Sequence, residues 1–206
     1  MWQPPAAETG DIAFLCRAFL AIVLGLAAWA KLRDRGVFRA VLRFLMPRAP
    51  AAAIASLAAA VVGFEALLAG MLVAGFRTDV AAWGTVGFLF AATATILVLR
   101  RRGYQGGCAC FGDHAAAAPP GLLDLARNAV LITVSLAVAQ SSAAVRPLWE
   151  FPAATIALAV ATTVGVLLSF GMVAAVVAMR AAGAPTRSEH AAAALAAPGG
   201  DGGREG

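Results

Sequence analysis

Apolar positions along this chain come in long uninterrupted runs rather than alternating with polar ones. Five such runs stand out: about Ile12 to Ala30, Ala51 to Phe76, Val80 to Leu99, Leu122 to Val145 and Ala153 to Met179. At 1.5 Å of rise per helical residue each is long enough to cross a hydrocarbon core of ~30 Å. The pattern therefore predicts five membrane-spanning helices. Only Arg77-Thr78-Asp79 and its immediate neighbours separate the second run from the third, which predicts an antiparallel hairpin. The first run is not expected to be a secretory signal. No basic segment precedes it, Arg17 interrupts it, and Lys31 follows where small cleavage-site residues would stand.

Between the first two runs the periodicity changes. Val37 to Met46 places Arg39 and Arg43 four apart with apolar residues on the other side, ending at Pro47. This predicts a short amphipathic helix lying in the membrane interface. After Arg180 the chain turns to Ala, Gly and Pro with scattered charge and little to bury, so residues 180–206 are expected to be disordered. The expected organisation is an N-terminal segment (1–11), a membrane domain of four helices (12–145), a fifth helix (153–179) and that tail.

Composition strengthens the reading. At 61% hydrophobic and 13% charged, the chain has too little polar surface to fold as one water-soluble core. Its basic excess is nearly all arginine, placed at the ends of apolar runs and without an interleaved aromatic stripe, which argues against nucleic acid as a partner and for the lipid bilayer. Arginine placement also predicts orientation. The first connection holds Lys31, Arg33, Arg35, Arg39, Arg43 and Arg48, and the third holds Arg100, Arg101 and Arg102. Arg180 and Arg187 follow the last run, whereas the second and fourth connections hold one each, Arg77 and Arg146. The positive-inside rule then puts the N-terminus outside, with the C-terminus and the third connection in the cytoplasm.

Candidate chemistry concentrates in that third connection, at Cys108-Ala109-Cys110-Phe111-Gly112. A disulfide closed over one residue is strained and therefore easily reduced. Gly103, Gly106, Gly107 and Gly112 permit the tight turns it needs, and the cations Arg100 to Arg102 would favour thiolate if they lie close. The competing reading is a metal site with Cys108, Cys110 and His114 as ligands and Asp113 as a fourth. It is the weaker one, because zinc sites space paired cysteines by two to four residues and add a second pair. Cys16 reads as a small buried apolar residue.

Elsewhere, Glu65 lies deep in the second run and must face the bundle interior or find a partner, while Arg17 is near enough to the end of its span to snorkel. Asp124 and Arg127 share one face at the start of the fourth helix, after Pro119-Pro120-Gly121.

These residues resemble the MauE family of methylamine-utilisation membrane proteins, within the wider DoxX-like group. The matching elements are Lys31-Leu32-Arg33-Asp34, Phe38 to Pro47, and Glu65 within Phe64 to Gly70. Arg102-Gly103, Cys108 to Gly112 and Arg127-Asn128 complete the set. The resemblance covers about residues 11–145. It implies an all-α integral membrane protein, a DoxX-like four-helix transmembrane bundle plus a fifth helix, in the bacterial cytoplasmic (inner) membrane. The implied role is a redox accessory, not an amine-oxidising enzyme, that exchanges thiols and disulfides with a thioredoxin-like partner. A disulfide-rich subunit of methylamine dehydrogenase would be matured in this way. Cys108 and Cys110 would be the redox pair, supported by Glu65, Arg127, Asn128 and Lys31. No cofactor is specified by the residues, and a quinone is compatible with the role. The alternative is a membrane scaffold or small-molecule carrier with incidental cysteines, worked by Glu65 and Arg17.

Overall fold

The structure is a computed structural model that describes residues 6–106, 121–141 and 147–182. Its elements are α1 (Ala6–Arg33), α2 (Arg35–Leu45), α3 (Ala51–Ala74), α4 (Thr78–Arg101), α5 (Leu122–Gln140), a 3-10 turn (Leu148–Glu150) and α6 (Ala153–Ala182). Among the described residues there is no strand. Among the described residues, four helices are long and apolar enough to cross a membrane, over Ile12–Arg33, Ala51–Ala74, Thr78–Arg101 and Leu122–Gln140, and α6 contributes a shorter apolar stretch over Ala153–Val166. The chain divides into two units, Met1–Leu168 and Ser169–Gly206. The second holds the last turns of α6.

Lipid tails are as apolar as leucine, so packing between spans depends on close approach and not on hydrophobic drive. Small side chains on α4 meet this need. Ala81, Ala82 and Thr85 are fully buried, and a Cβ built on Gly84 would meet Leu68 Cδ2 at 3.0 Å. The main core joins Leu20 and Leu24 of α1, Leu68 and Leu72 of α3, Ala81 and Leu89 of α4, and Leu131 and Val138 of α5. Buried hydroxyls are satisfied within their own helices. Thr85 donates to the Ala81 carbonyl, Ser135 to Leu131 and Thr163 to Ala159, at 2.8, 2.8 and 2.7 Å.

Local chemistry sets the turns. Gly75 adopts a left-handed conformation (φ 68°) and closes α3, with the Phe76 N–H donating to the Met71 carbonyl. Arg77 then takes φ 45°, a strained value for a residue with a Cβ, to start α4 at once. At the other end of α4, Gly103 (φ 70°) reverses the chain, and the Tyr104 N–H donates to the Leu99 carbonyl. Asp34 interrupts the helix between α1 and α2 for a single residue, leaving the Asp34 N–H bonded to Ala30 and the Phe38 N–H to Asp34.

The amphipathic segment is a helix, and its apolar side is covered by protein. Leu42 is buried with Ile54 and Ala58 of α3, and Phe38 and Met46 pack against them. A single-residue break and a five-residue turn keep α2 against α3, which packs on Leu42, Phe38 and Met46 while Phe44 stays exposed. Arg17 also departs from expectation. It is 5% exposed and does not snorkel into the open. The clusters around it explain this, since Phe14 and Ala18 pack against Leu148, Phe151 and Ala159 at that end of α1.

Candidate functional site

Lys31 and Glu65, read separately from the sequence, are brought together. Lys31 Nζ donates to Glu65 Oε1 at 2.7 Å and to Oε2 at 2.9 Å, with a longer contact to the Ala27 carbonyl at 3.5 Å. Their side chains are 6% and 3% exposed. Lys31 stands in the last turn of α1 and Glu65 is fifteenth in α3, fourteen residues (roughly 21 Å at 1.5 Å each) from the start of that helix. The ring of Phe38 lies 5.8 Å from Nζ and covers the pair from α2. A buried charge is tolerated when its partner and hydrogen bonds are complete, and here both carboxylate oxygens accept from one ammonium.

Between the last turns of α4 and the first turns of α5 lies a second polar contact. Asn128 is buried, and its Nδ2 donates to Thr93 Oγ1 at 3.1 Å, while Thr93 donates to the Leu89 carbonyl at 2.7 Å. The chain tying α5 to α4 is thus complete on the Thr93 side. One turn earlier, the Asp124 carboxylate accepts from the Gly121 N–H at 2.9 Å, closing the first turn of α5. Arg127 lies 3.7 Å from the same carboxylate and is partly buried. Arg127 and Asn128 therefore differ in duty despite being adjacent. Arg127 steadies the helix start, and Asn128 joins two helices.

Cys108, Cys110, Asp113 and His114 lie outside the described residues. The segments that flank them are described. Arg102 donates from Nη1 to the Leu45 carbonyl at 3.3 Å, and the rings of Tyr104 and Phe44 are 4.8 Å apart. The end of α4 is thereby fastened to the end of α2. A Cβ on Gly106 would fall 2.5 Å from the Tyr104 hydroxyl, so a larger residue there would have to displace the Tyr104 ring. Cys16 is a free, half-buried cysteine packed on the main core.

Sequence reasoning missed two relationships. Thr93 carries no mark beyond being one of two threonines in Ala91 to Thr95. The union of Lys31 with Glu65 had a usable signal, because Lys31 is the chain's one lysine, at the end of the first run, and Glu65 the one glutamate within the runs.

Four apolar spans around buried polar pairs define a multi-pass helical membrane protein. Residues 9–141 match the family model described as methylamine utilisation protein MauE. With well over half its length matched, the chain belongs to the MauE family, membrane proteins linked to methylamine utilisation. No curated protein and no solved structure matches it.

Proposed function

We propose that this protein is a redox accessory of the membrane, exchanging thiols and disulfides through Cys108 and Cys110 with a thioredoxin-like partner. The observation that carries the reading is the fastening around the cysteine segment. Arg102 and Tyr104 hold its N-terminal approach to α2, and Gly121 with Asp124 holds its C-terminal exit at the start of α5. A dithiol used repeatedly needs fixed supports on both sides.

The exchange proceeds in two steps. A thiolate of the pair attacks the partner's disulfide, forming an intermolecular disulfide and releasing one partner thiolate. The second cysteine's thiolate then displaces the partner and closes the Cys108–Cys110 disulfide. Two electrons pass to the partner, whose two thiolates take up the two protons lost by the pair. The reverse sequence oxidises the partner. In maturation, the final recipient would be a disulfide-rich dehydrogenase subunit. A quinone would be a suitable acceptor from the reduced pair.

On this reading the N-terminus is outside and the cysteine segment faces the cytoplasm of a bacterial inner membrane, as the arginine asymmetry supports. The thirty-residue α6 supplies a fifth span to a DoxX-like bundle. The carrier alternative loses support because Glu65 already has Lys31 on both of its oxygens.

Mass spectrometry after alkylation with and without reductant tests the redox reading. Oxidised protein should carry two fewer alkyl groups on the peptide containing Cys108 and Cys110, and reductant should restore them. Full alkylation of both under every oxidising condition would overturn it.

A further inference from the structure

The end of the bundle that bears the α2–α3 turn and the end of α4 is strongly basic. Arg39, Arg43 and Arg48 from α2 and its turn, and Arg100, Arg101 and Arg102 from α4, are all exposed. The Arg102 bond to the Leu45 carbonyl and the Phe44–Tyr104 ring contact join the two groups into one surface. Among the described residues, no carboxylate forms an ion pair with any of these six. The described pairs are Lys31–Glu65, Arg77–Asp79 and Arg127–Asp124.

We propose that this surface binds anionic phospholipid, with the guanidinium groups holding phosphodiester oxygens and neighbouring apolar side chains lying along the acyl chains. Guanidinium groups suit the task because their forked donors match two oxygens of one phosphate.

The surroundings favour a lipid over a soluble acidic protein. Leu97 and Val98 are exposed on α4, one turn before Arg100 and Arg101 and on the same faces. Phe44 is exposed beside Arg43, and Leu57 on α3. Charge thus gives way to apolar surface within a single helical turn, the same order in which a phospholipid presents phosphate and then hydrocarbon. Leu42 and Phe38 of α2 are taken up by α3, which leaves Phe44 and the arginines of α2 on the open surface. Clusters of four to eight basic residues beside a span attract anionic lipid in this manner. The inference is independent of the cysteine chemistry.

Native mass spectrometry of the full chain, released from nanodiscs of mixed phosphatidylglycerol and phosphatidylcholine, reads the preference directly. The unaltered protein should retain phosphatidylglycerol selectively. Arg39→Gln with Arg43→Gln, or Arg100→Gln with Arg101→Gln, should each reduce that preference about thirty-fold, from the contribution expected of two arginines. Arg100→Lys with Arg101→Lys should keep most of it, and Arg77→Gln at the opposite end should leave it unchanged. Circular dichroism confirms that each variant remains helical. Equal retention of both lipids, or an undiminished preference in both glutamine variants, overturns the proposal. So does displacement of the lipid by inorganic phosphate or by soluble polyglutamate at matched charge, the latter pointing to an acidic protein as the occupant.

Discussion

Lys31 and Glu65 stand thirty-four positions apart, yet one ammonium serves both oxygens of one carboxylate at 2.7 and 2.9 Å inside the bundle. The pair ties the last turn of α1 to the interior of α3, and any slip of one helix along the other would separate the charges. It therefore fixes register as well as contact.

This makes Glu65→Gln a severe substitution. The amide keeps one acceptor but leaves the Lys31 charge uncompensated. Glu65→Gln or Lys31→Met alone should each lower stability by about 3–5 kcal/mol, while Lys31→Met with Glu65→Leu should be neutral or stabilising by up to about 4 kcal/mol. Thermal denaturation in a mild detergent measures both. Single variants within about 1 kcal/mol of the unaltered protein would show that the pair contributes little.

Asn128 and Thr93 offer a second, smaller test. Asn128→Leu and Thr93→Val should each destabilise modestly, and the double variant should be less than additive. The coupling expected for an interhelical hydrogen bond inside a membrane is about 0.6 kcal/mol, rising to about 1.7 kcal/mol at most. A double-mutant cycle on unfolding yields the number. Zero coupling would mean that the two side chains act separately.

What was legible in the sequence follows from which physical signals are local. Uninterrupted apolar length marked α1, α3, α4 and α5, because lipid demands that length in every spanning helix. Their ends were less legible. The apolar run of the third span is about Val80 to Leu99, whereas α4 covers Thr78–Arg101, since backbone hydrogen bonds continue past the last apolar side chain. The fourth apolar run reaches about Val145, but α5 stops at Gln140, where Ser141 supplies a hydroxyl that competes for the last carbonyls. The Ser141 hydroxyl indeed donates to the Val138 carbonyl at 2.8 Å. Lys31 and Glu65 were each legible as costly charges, but the join depends on how α1 crosses α3, which no local pattern encodes. Arg17 misled for a related reason. Its distance from the span end suggested escape to water, while the packing of Phe14, Ala18 and Ala159 decides its burial.

Sidedness gives a third prediction. On the proposed orientation, a membrane-impermeant maleimide applied to intact reduced cells should leave Cys108 and Cys110 unlabelled and label them after lysis. Labelling in intact cells would reverse the orientation. It would also place the pair on the side of an exported dehydrogenase subunit, where direct exchange needs no second carrier across the membrane.

Exchange through a mixed disulfide predicts an asymmetry between the two cysteines. Cys108→Ser and Cys110→Ser should both abolish partner reduction, because each leaves a single thiol that cannot complete the second step. Only one of them should accumulate an adduct. If the attacking thiolate remains and the resolving thiol is gone, the intermolecular disulfide has no route to closure and persists. Non-reducing electrophoresis of membranes should show a band shifted by the mass of a thioredoxin-like protein in one single variant. That band should vanish with dithiothreitol and be absent from the double variant. Membrane insertion should be unchanged throughout, since Ser differs from Cys by one atom. Full activity in both single variants, with activity lost instead in Glu65→Gln at preserved stability, would move the working site from the cysteines to the buried pair and favour a carrier.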